Sequence, residues 1–130
     1  MGKEKVFENK VKSFLKMNDA YFFKYWGGGN FTKAGVPDII ACIKGRFIGI
    51  EIKGPNGKPT ELQIHNLKKI DEAGGYGILL YPKDFKIFMN LIHSITTPYR
   101  YGHSEDDIFY QVMEEEMYYK VLKGVWSDDG

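Results

Sequence analysis

The sequence has a single cysteine, a net charge near zero and no long apolar run. Because Cys42 is the one cysteine among 130 residues, no disulfide can form within the chain, which is typical of a reducing compartment. No apolar stretch approaches the length of a membrane-spanning helix, and charged residues from Lys3 onward replace an apolar signal core. We therefore expect a cytoplasmic protein that does not associate with membranes.

The formal net charge of +1 conceals an uneven distribution of charge. Residues 1–97 contain 15 basic and 9 acidic residues, a balance of +6, whereas residues 98–130 contain 3 and 8, a balance of −5. A basic body suits a polyanionic partner, although ordinary surface charge explains the same numbers equally well. We divide the chain into a core, 1–97, and an acidic, aromatic-rich extension, 98–130, which we expect to be a helix packed on the core or a dimer arm.

Apolar periodicity and turn residues predict an α/β protein. Helical spacing alternates with short β-prone runs, and glycines or prolines mark most of the boundaries. Thr60 followed by Gln63 matches a capping box at a helix start. The order α-β-β-β-α-β predicts a mixed sheet flanked by helices, with a C-terminal helical appendage. The predicted helices are 3–17, 60–73, 84–95 and 104–123, and the predicted strands are 20–26, 38–44, 46–53 and 76–81.

The strand 46–53 carries charges on one of its two faces. Side chains alternate along a strand, so its three isoleucines form a core face, while Gly49, Glu51 and Lys53 share the other face with Phe47. The bare backbone at Gly49 allows a close approach from that side. A hairpin would bring Asp38 near Glu51, and two converging carboxylates repel each other unless a cation lies between them. Mg²⁺ prefers such oxygen ligands. A structural ion pair of Glu51 with Lys53 is the alternative interpretation.

These residues carry a resemblance to a known group of nucleases. Pro37-Asp38, twelve residues, and then Glu51-Ile52-Lys53 resembles the PD-(D/E)xK signature. The fuller spelling, GVPDII at 35–40 and FIGIEIK at 47–53 with a downstream Gln63, is similar to the VRR-NUC branch of that superfamily. Small stand-alone members of this branch occur in phages and bacteria. The resemblance covers about residues 4–81 and implies a restriction-endonuclease-like αβββαβ core.

The resemblance also implies roles for individual residues. Asp38 and Glu51 match the metal-binding acids, with the backbone carbonyl of Ile52 as an additional ligand. Lys53 matches the lysine that orients or activates the attacking water and offsets charge at the transition state. A glutamate of the first helix joins the metal site in such nucleases, and Glu8 fits that place better than Glu4, which remains an alternative.

Gln63 matches the glutamine that the family places beside its active site. Its position as the fourth residue of the capping box is an equally good explanation for its presence. We leave both roles open.

The implied function is Mg²⁺-dependent hydrolysis of phosphodiester bonds in DNA, with Mn²⁺ as a substitute metal. We expect a structure-selective endonuclease similar to Holliday-junction resolvases, acting on branched DNA as a homodimer in a bacterial or phage-infected cell. A restriction-type or nicking endonuclease is the enzymatic alternative, and a noncatalytic nucleic-acid-binding module is the alternative from another class. Most surface lysines are expected to be solvated, and some could form a nonspecific phosphate track.

Overall fold

A four-stranded mixed sheet with helices on both faces organises the chain in the computed structural model, which describes residues 2–27 and 33–96. The predicted α/β class and the order of the elements are confirmed. The predicted helix 104–123 and the extension 98–130 lie outside the described residues. None of the described helices is long and apolar enough to cross a membrane. The elements are α1 (Lys3–Met17), β1 (Tyr21–Lys24), β2 (Ile39–Ile43), β3 (Arg46–Ile52), α2 (Glu61–Glu72), β4 (Tyr76–Leu80), a 3₁₀ turn (Pro82–Asp84) and α3 (Phe85–Thr96).

Helices α1 and α3 cover one face of the sheet and form the main core with it. Phe7, Val11 and Leu15 of α1 are buried together with Phe85 and Phe88 of α3. The sheet contributes the three isoleucines of β3, as the alternation predicted, and inward-facing residues of β2 and β4. The core therefore lies on the isoleucine face of β3, and the charged residues of that strand point to the opposite side.

Local signals define the ends of α1 and the β2–β3 hairpin. Asp19 has a positive φ of 57°, and the Ala20 N–H donates to the Leu15 carbonyl, which closes the helix with a Schellman motif. Lys44 and Gly45 both have positive φ, at 49° and 82°, as a two-residue type I′ hairpin turn requires. This tight turn fixes the register that pairs Ile39 with Ile50.

The face of the sheet opposite the main core is covered in part by α2. Strands β3 and β4 are parallel, so the chain needs a crossover, and α2 provides it. Gly49 and Gly77 are partners in adjacent strands, and their lack of side chains lets α2 pack directly on the backbone. A Cβ at Gly49 would lie 2.6 Å from Ile70 Cδ1. The close approach predicted at Gly49 is therefore made by the protein's own helix.

Strand β2 is less buried than its apolar sequence suggested. Ile39, Ala41 and Ile43 face the core, but Cys42 is exposed on the other side. In the register Cys42 lies between Tyr21 of β1 and Phe47 of β3, which are also exposed. This side of β2 is exposed because α2 lies over β3 and β4 and leaves this part of the sheet uncovered.

Gly77→Ala is expected to lower the free energy of unfolding by about 3 kcal/mol. The added Cβ would lie 2.2 Å from the Leu67 carbonyl oxygen, so α2 would have to move away from the sheet. Urea denaturation followed by circular dichroism measures the change. Gly27→Ala is the control, because its Cβ would meet only Tyr25 Cε1, at 3.8 Å. Equal stability of the two variants would contradict this packing.

Candidate active site

Asp38 and Glu51 lie side by side where β2 begins and β3 ends. The register that pairs Ile39 with Ile50 sets Asp38 opposite Glu51, one position further along the hairpin. Asp38 Oδ2 accepts a hydrogen bond of 2.8 Å from the Ile52 N–H, which ties the aspartate to the end of the neighbouring strand. The hairpin thus brings the two carboxylates together, as the sequence predicted.

The Glu51 carboxylate is buried and only partly satisfied. Its residue is 2% exposed, and Oε1 has no hydrogen-bond partner, whereas Oε2 lies 3.6 Å from Lys53 Nζ. A buried polar atom without a partner is costly, so native proteins pair nearly all of them. Among the described residues, Glu51 Oε1 is the one buried side-chain polar atom without a partner.

Burial raises the pKa of Glu51 from 4.5 to about 8. Loss of solvation is the largest cause, and repulsion by the Asp38 carboxylate adds to it. The Lys53 ammonium lowers the pKa of Glu51, but its effect is smaller than the combined effect of burial and Asp38. At neutral pH the metal-free protein therefore keeps a proton on Glu51.

Lys53 follows β3 and extends alongside Glu51 under a small loop. Its side chain is 14% exposed. The Gly57 N–H donates to the Gly54 carbonyl and closes a turn, and a Cβ at Gly57 would lie 3.2 Å from Lys53 Cδ. The Tyr81 hydroxyl donates to the Gly57 carbonyl at 2.8 Å and ties this turn to the end of β4. The turn and Tyr81 therefore confine the lysine stem and direct its ammonium towards Glu51.

Tyr81 is a residue that the sequence reasoning missed. It comes directly after β4, which runs parallel to β3, so both chains leave the sheet at the same edge. That placement was available from the predicted strand order, because the carboxyl ends of parallel strands meet at one edge. Its hydroxyl contact with Gly57 depends on the loop conformation and has no sequence signal.

Glu8 binds lysines. The residue is 4% exposed, and its Oε2 lies 2.8 Å from Lys5 Nζ and 3.2 Å from Lys12 Nζ. Lys24 Nζ of β1 forms a short ion pair with Oε1. Burial raises the pKa of Glu8, but hydrogen bonds from Lys24, Lys5 and Lys12 outweigh burial and lower this pKa to about 2.

The structure does not bring Glu8 into one group with Asp38 and Glu51. No three acidic, histidine or cysteine side chains in 2–27 and 33–96 form a group that could bind a metal ion. Glu4, the alternative, is exposed at the start of α1, and its Cβ would lie 3.5 Å from a Cβ at Gly54. The first helical turn thus adjoins the loop after Lys53. That Glu8 or Glu4 of α1 binds a metal ion stays a prediction.

Gln63 serves as the capping residue of α2. Its N–H donates to Thr60 Oγ1 at 3.1 Å, and its Oε1 accepts from the Thr60 N–H at 2.9 Å. Both bonds of the predicted capping box are therefore present. Since the side-chain oxygen is occupied at the helix start, the capping role is confirmed, and a role beside the active site stays a prediction.

The donor set at the strand ends suits a hard divalent cation. Two carboxylates and the nearby Ile52 carbonyl provide oxygen ligands, and Mg²⁺ typically uses one or two carboxylates and completes its shell with waters and substrate phosphates. A cation beside Glu51 would give its unpaired Oε1 a partner and offset its repulsion from Asp38. The residues present therefore fit such an ion without a third carboxylate.

No family model matches this chain, and no curated protein matches it.

In the metal-free protein, the free energy of unfolding is expected to fall as pH rises from about 4.5 to about 8. Across this window folded Glu51 retains a proton that the unfolded chain releases, so a higher pH favours unfolding. Glu51→Gln should remove this contribution, which is at most about 1.4 kcal/mol per pH unit. Urea denaturation in chelator at pH 5.5 and pH 8 measures it.

Glu8 does not confound this comparison. Its lowered pKa of about 2 means that its contribution is complete above pH 4.5 and is lost only on acidification towards pH 2. Identical pH profiles for the wild type and Glu51→Gln would show that Glu51 titrates normally, contrary to the structure.

Proposed function

We propose that the protein is a Mg²⁺-dependent DNA endonuclease of the VRR-NUC type, with a restriction-endonuclease-like core. The observation that carries the proposal is the buried Glu51 carboxylate, which lies beside Asp38 with one oxygen unpaired. The element order and the motif at 37–53 support the same proposal.

A structural ion pair explains this arrangement less well. The Glu51–Lys53 pair by itself would need no second carboxylate, and adding Asp38 makes ionisation of Glu51 harder. Arrangements that disfavour ionisation in this way are concentrated at functional sites, where a ligand or reaction offsets their cost. A bound divalent cation is such a ligand.

The proposed reaction is hydrolysis of a phosphodiester bond. Asp38, Glu51 and the Ile52 carbonyl would bind Mg²⁺, which supplies Lewis-acid activation and neutralises charge on the phosphoryl group. Asp38 is fixed by the Ile52 N–H, and Glu51 is fixed by burial. Lys53, confined by the Gly57 turn, would orient the attacking water and offset negative charge as the phosphorane-like transition state forms.

The proposed substrate is branched DNA, and the proposed active form is a cytoplasmic homodimer. A four-way junction presents strands related by two-fold symmetry, which a symmetric pair of active sites would match. A restriction-type or nicking activity on linear duplex is the enzymatic alternative, and the cleavage experiment below separates the two.

Mg²⁺ or Mn²⁺ is expected to raise the melting temperature of the wild type at pH 8. A ligand that binds only the folded state stabilises it, by about 2.7 kcal/mol at a hundredfold excess over Kd. Asp38→Asn should lose the increase while keeping an acceptor for the Ile52 N–H. Differential scanning fluorimetry with and without metal measures the shift. The same increase in melting temperature in both proteins would show that Asp38 does not bind the metal ion.

Cleavage of labelled four-way junction, flap, nicked and linear duplex DNA tests the function directly. Asp38→Asn, Glu51→Gln and Lys53→Met should each reduce the rate by about 100-fold or more, because each removes a group that stabilises the transition state. Lys69→Ala, whose ion pair with Glu72 lies at the far end of α2, is the control.

Cleavage that persists in all three site variants would exclude the proposed active site. Binding without cleavage of any substrate, with Mg²⁺ or Mn²⁺, would instead indicate a noncatalytic nucleic-acid-binding module. Equal rates on linear and branched substrates would contradict structure selectivity.

A further inference from the structure

Three lysines converge on the buried Glu8 carboxylate at the surface formed by α1 and β1. Lys5 and Lys12 reach it from adjacent turns of α1, and Lys24 reaches it from β1. We name Lys5, Lys12 and Lys24 the lysine cluster. Their side chains remain 45%, 27% and 19% exposed, so their charges are accessible while Glu8 lies beneath them.

The lysine cluster carries a net positive charge in a fixed arrangement. The single Glu8 carboxylate can balance only one of the three ammonium groups that contact it. A free lysine side chain loses much rotamer freedom when it binds an anion. Glu8 already restrains these three lysine side chains. Binding of an anion would therefore cost less side-chain conformational entropy, and the affinity would be higher.

Trp26 extends this surface with an exposed aromatic ring. The residue is 71% exposed, and Lys24 Nζ lies 5.0 Å from the centroid of its ring. Lys24 therefore connects the two features, because it pairs with Glu8 and contacts the indole. An ordered cation array next to an exposed indole combines the two groups that bind nucleic acids, one for phosphates and one for bases.

The same surface is connected to the candidate active site through the backbone. The Tyr25 N–H, one residue before Trp26, donates to the Asp38 carbonyl at 2.8 Å. Lys24 is the partner of Ile39 across the β1–β2 ladder. The β1–β2 ladder therefore joins the two regions, although Lys24 faces α1 and the Asp38 side chain lies on the other face of the sheet.

We propose that the lysine cluster and Trp26 bind an unpaired segment of the nucleic-acid substrate. The lysines contact successive phosphates, and one base stacks on the indole. Bases inside a duplex are already stacked on both sides, so the indole is of use only where a base is unpaired, as at a branch point or a frayed end. The choice of nucleic acid as the polyanion rests on the proposed function, whereas the preference for an unpaired segment rests on Trp26.

Quenching of Trp26 fluorescence tests base stacking. The chain has two tryptophans, so Trp126→Phe leaves Trp26 as the single reporter. In chelator, where no metal-dependent cleavage occurs, a single-stranded oligonucleotide should quench its emission, and a blunt duplex of equal length should quench it much less. Absence of quenching by the single strand, or equal quenching by both, would overturn the proposal.

Binding affinity tests the separate parts of the surface. Fluorescence anisotropy with a labelled single strand in chelator measures the affinity. Trp26→Ala should weaken binding about tenfold, whereas Trp26→Phe should keep most of the wild-type affinity. Lys12→Ala should reduce the slope of log Kd against log salt by about one unit. Tyr21→Ala and Lys69→Ala, which remove an exposed ring and an exposed lysine elsewhere, should leave the affinity unchanged.

These outcomes separate the two proposals. Affinities of Trp26→Ala and Lys12→Ala within twofold of the wild type would overturn the binding surface, even if the protein cleaves DNA. The predicted losses of affinity, found in a protein that cleaves nothing with Mg²⁺ or Mn²⁺, would support the surface and reject the nuclease activity.

Discussion

The site depends on the cost of keeping the Glu51 carboxylate out of water beside a second acid. Solvation is lost by burial, and Asp38 opposes a second negative charge, so the metal-free site resolves the conflict by retaining a proton on Glu51. Lys53 relieves only part of the repulsion. A divalent cation would act on both causes at once. We regard this electrostatic conflict between two buried acids as the property that distinguishes the site from a structural ion pair.

The fold creates the conflict through its strand order. Strand β3 lies between an antiparallel and a parallel neighbour, so its carboxyl end is flanked by the start of β2 and the end of β4. The crossover helix α2 can lie close to the backbone because Gly49 and Gly77 have no side chains. Glu51 is the next residue on that face of β3, and it is enclosed as a result. The packing of the helix and the chemistry of the site are therefore coupled.

Sequence reasoning predicted what depends on local pattern. The element order, the capping box at Thr60 and the pairing of Asp38 with Glu51 all follow from periodicity, turn residues and hairpin register, and the structure has each of them. The lysines around Glu8 were not predicted, because Lys24 approaches from a strand sixteen residues away, and short-range spacing carries no information on that contact. The close approach at Gly49 was predicted, but not that α2 makes it, because the sequence around a glycine does not show which group packs on it.

The most direct test of the central claim is a crystal structure of the protein grown with Mn²⁺, with data collected to reveal anomalous scattering. We predict a strong anomalous peak in contact with carboxylate oxygens of both Asp38 and Glu51, at about 2.1 Å. Glu51 Oε1 would then have a partner. Absence of a peak at this position, with Glu51 still paired to Lys53 alone, would contradict the account and restore the structural ion pair as the explanation of the two charges on β3.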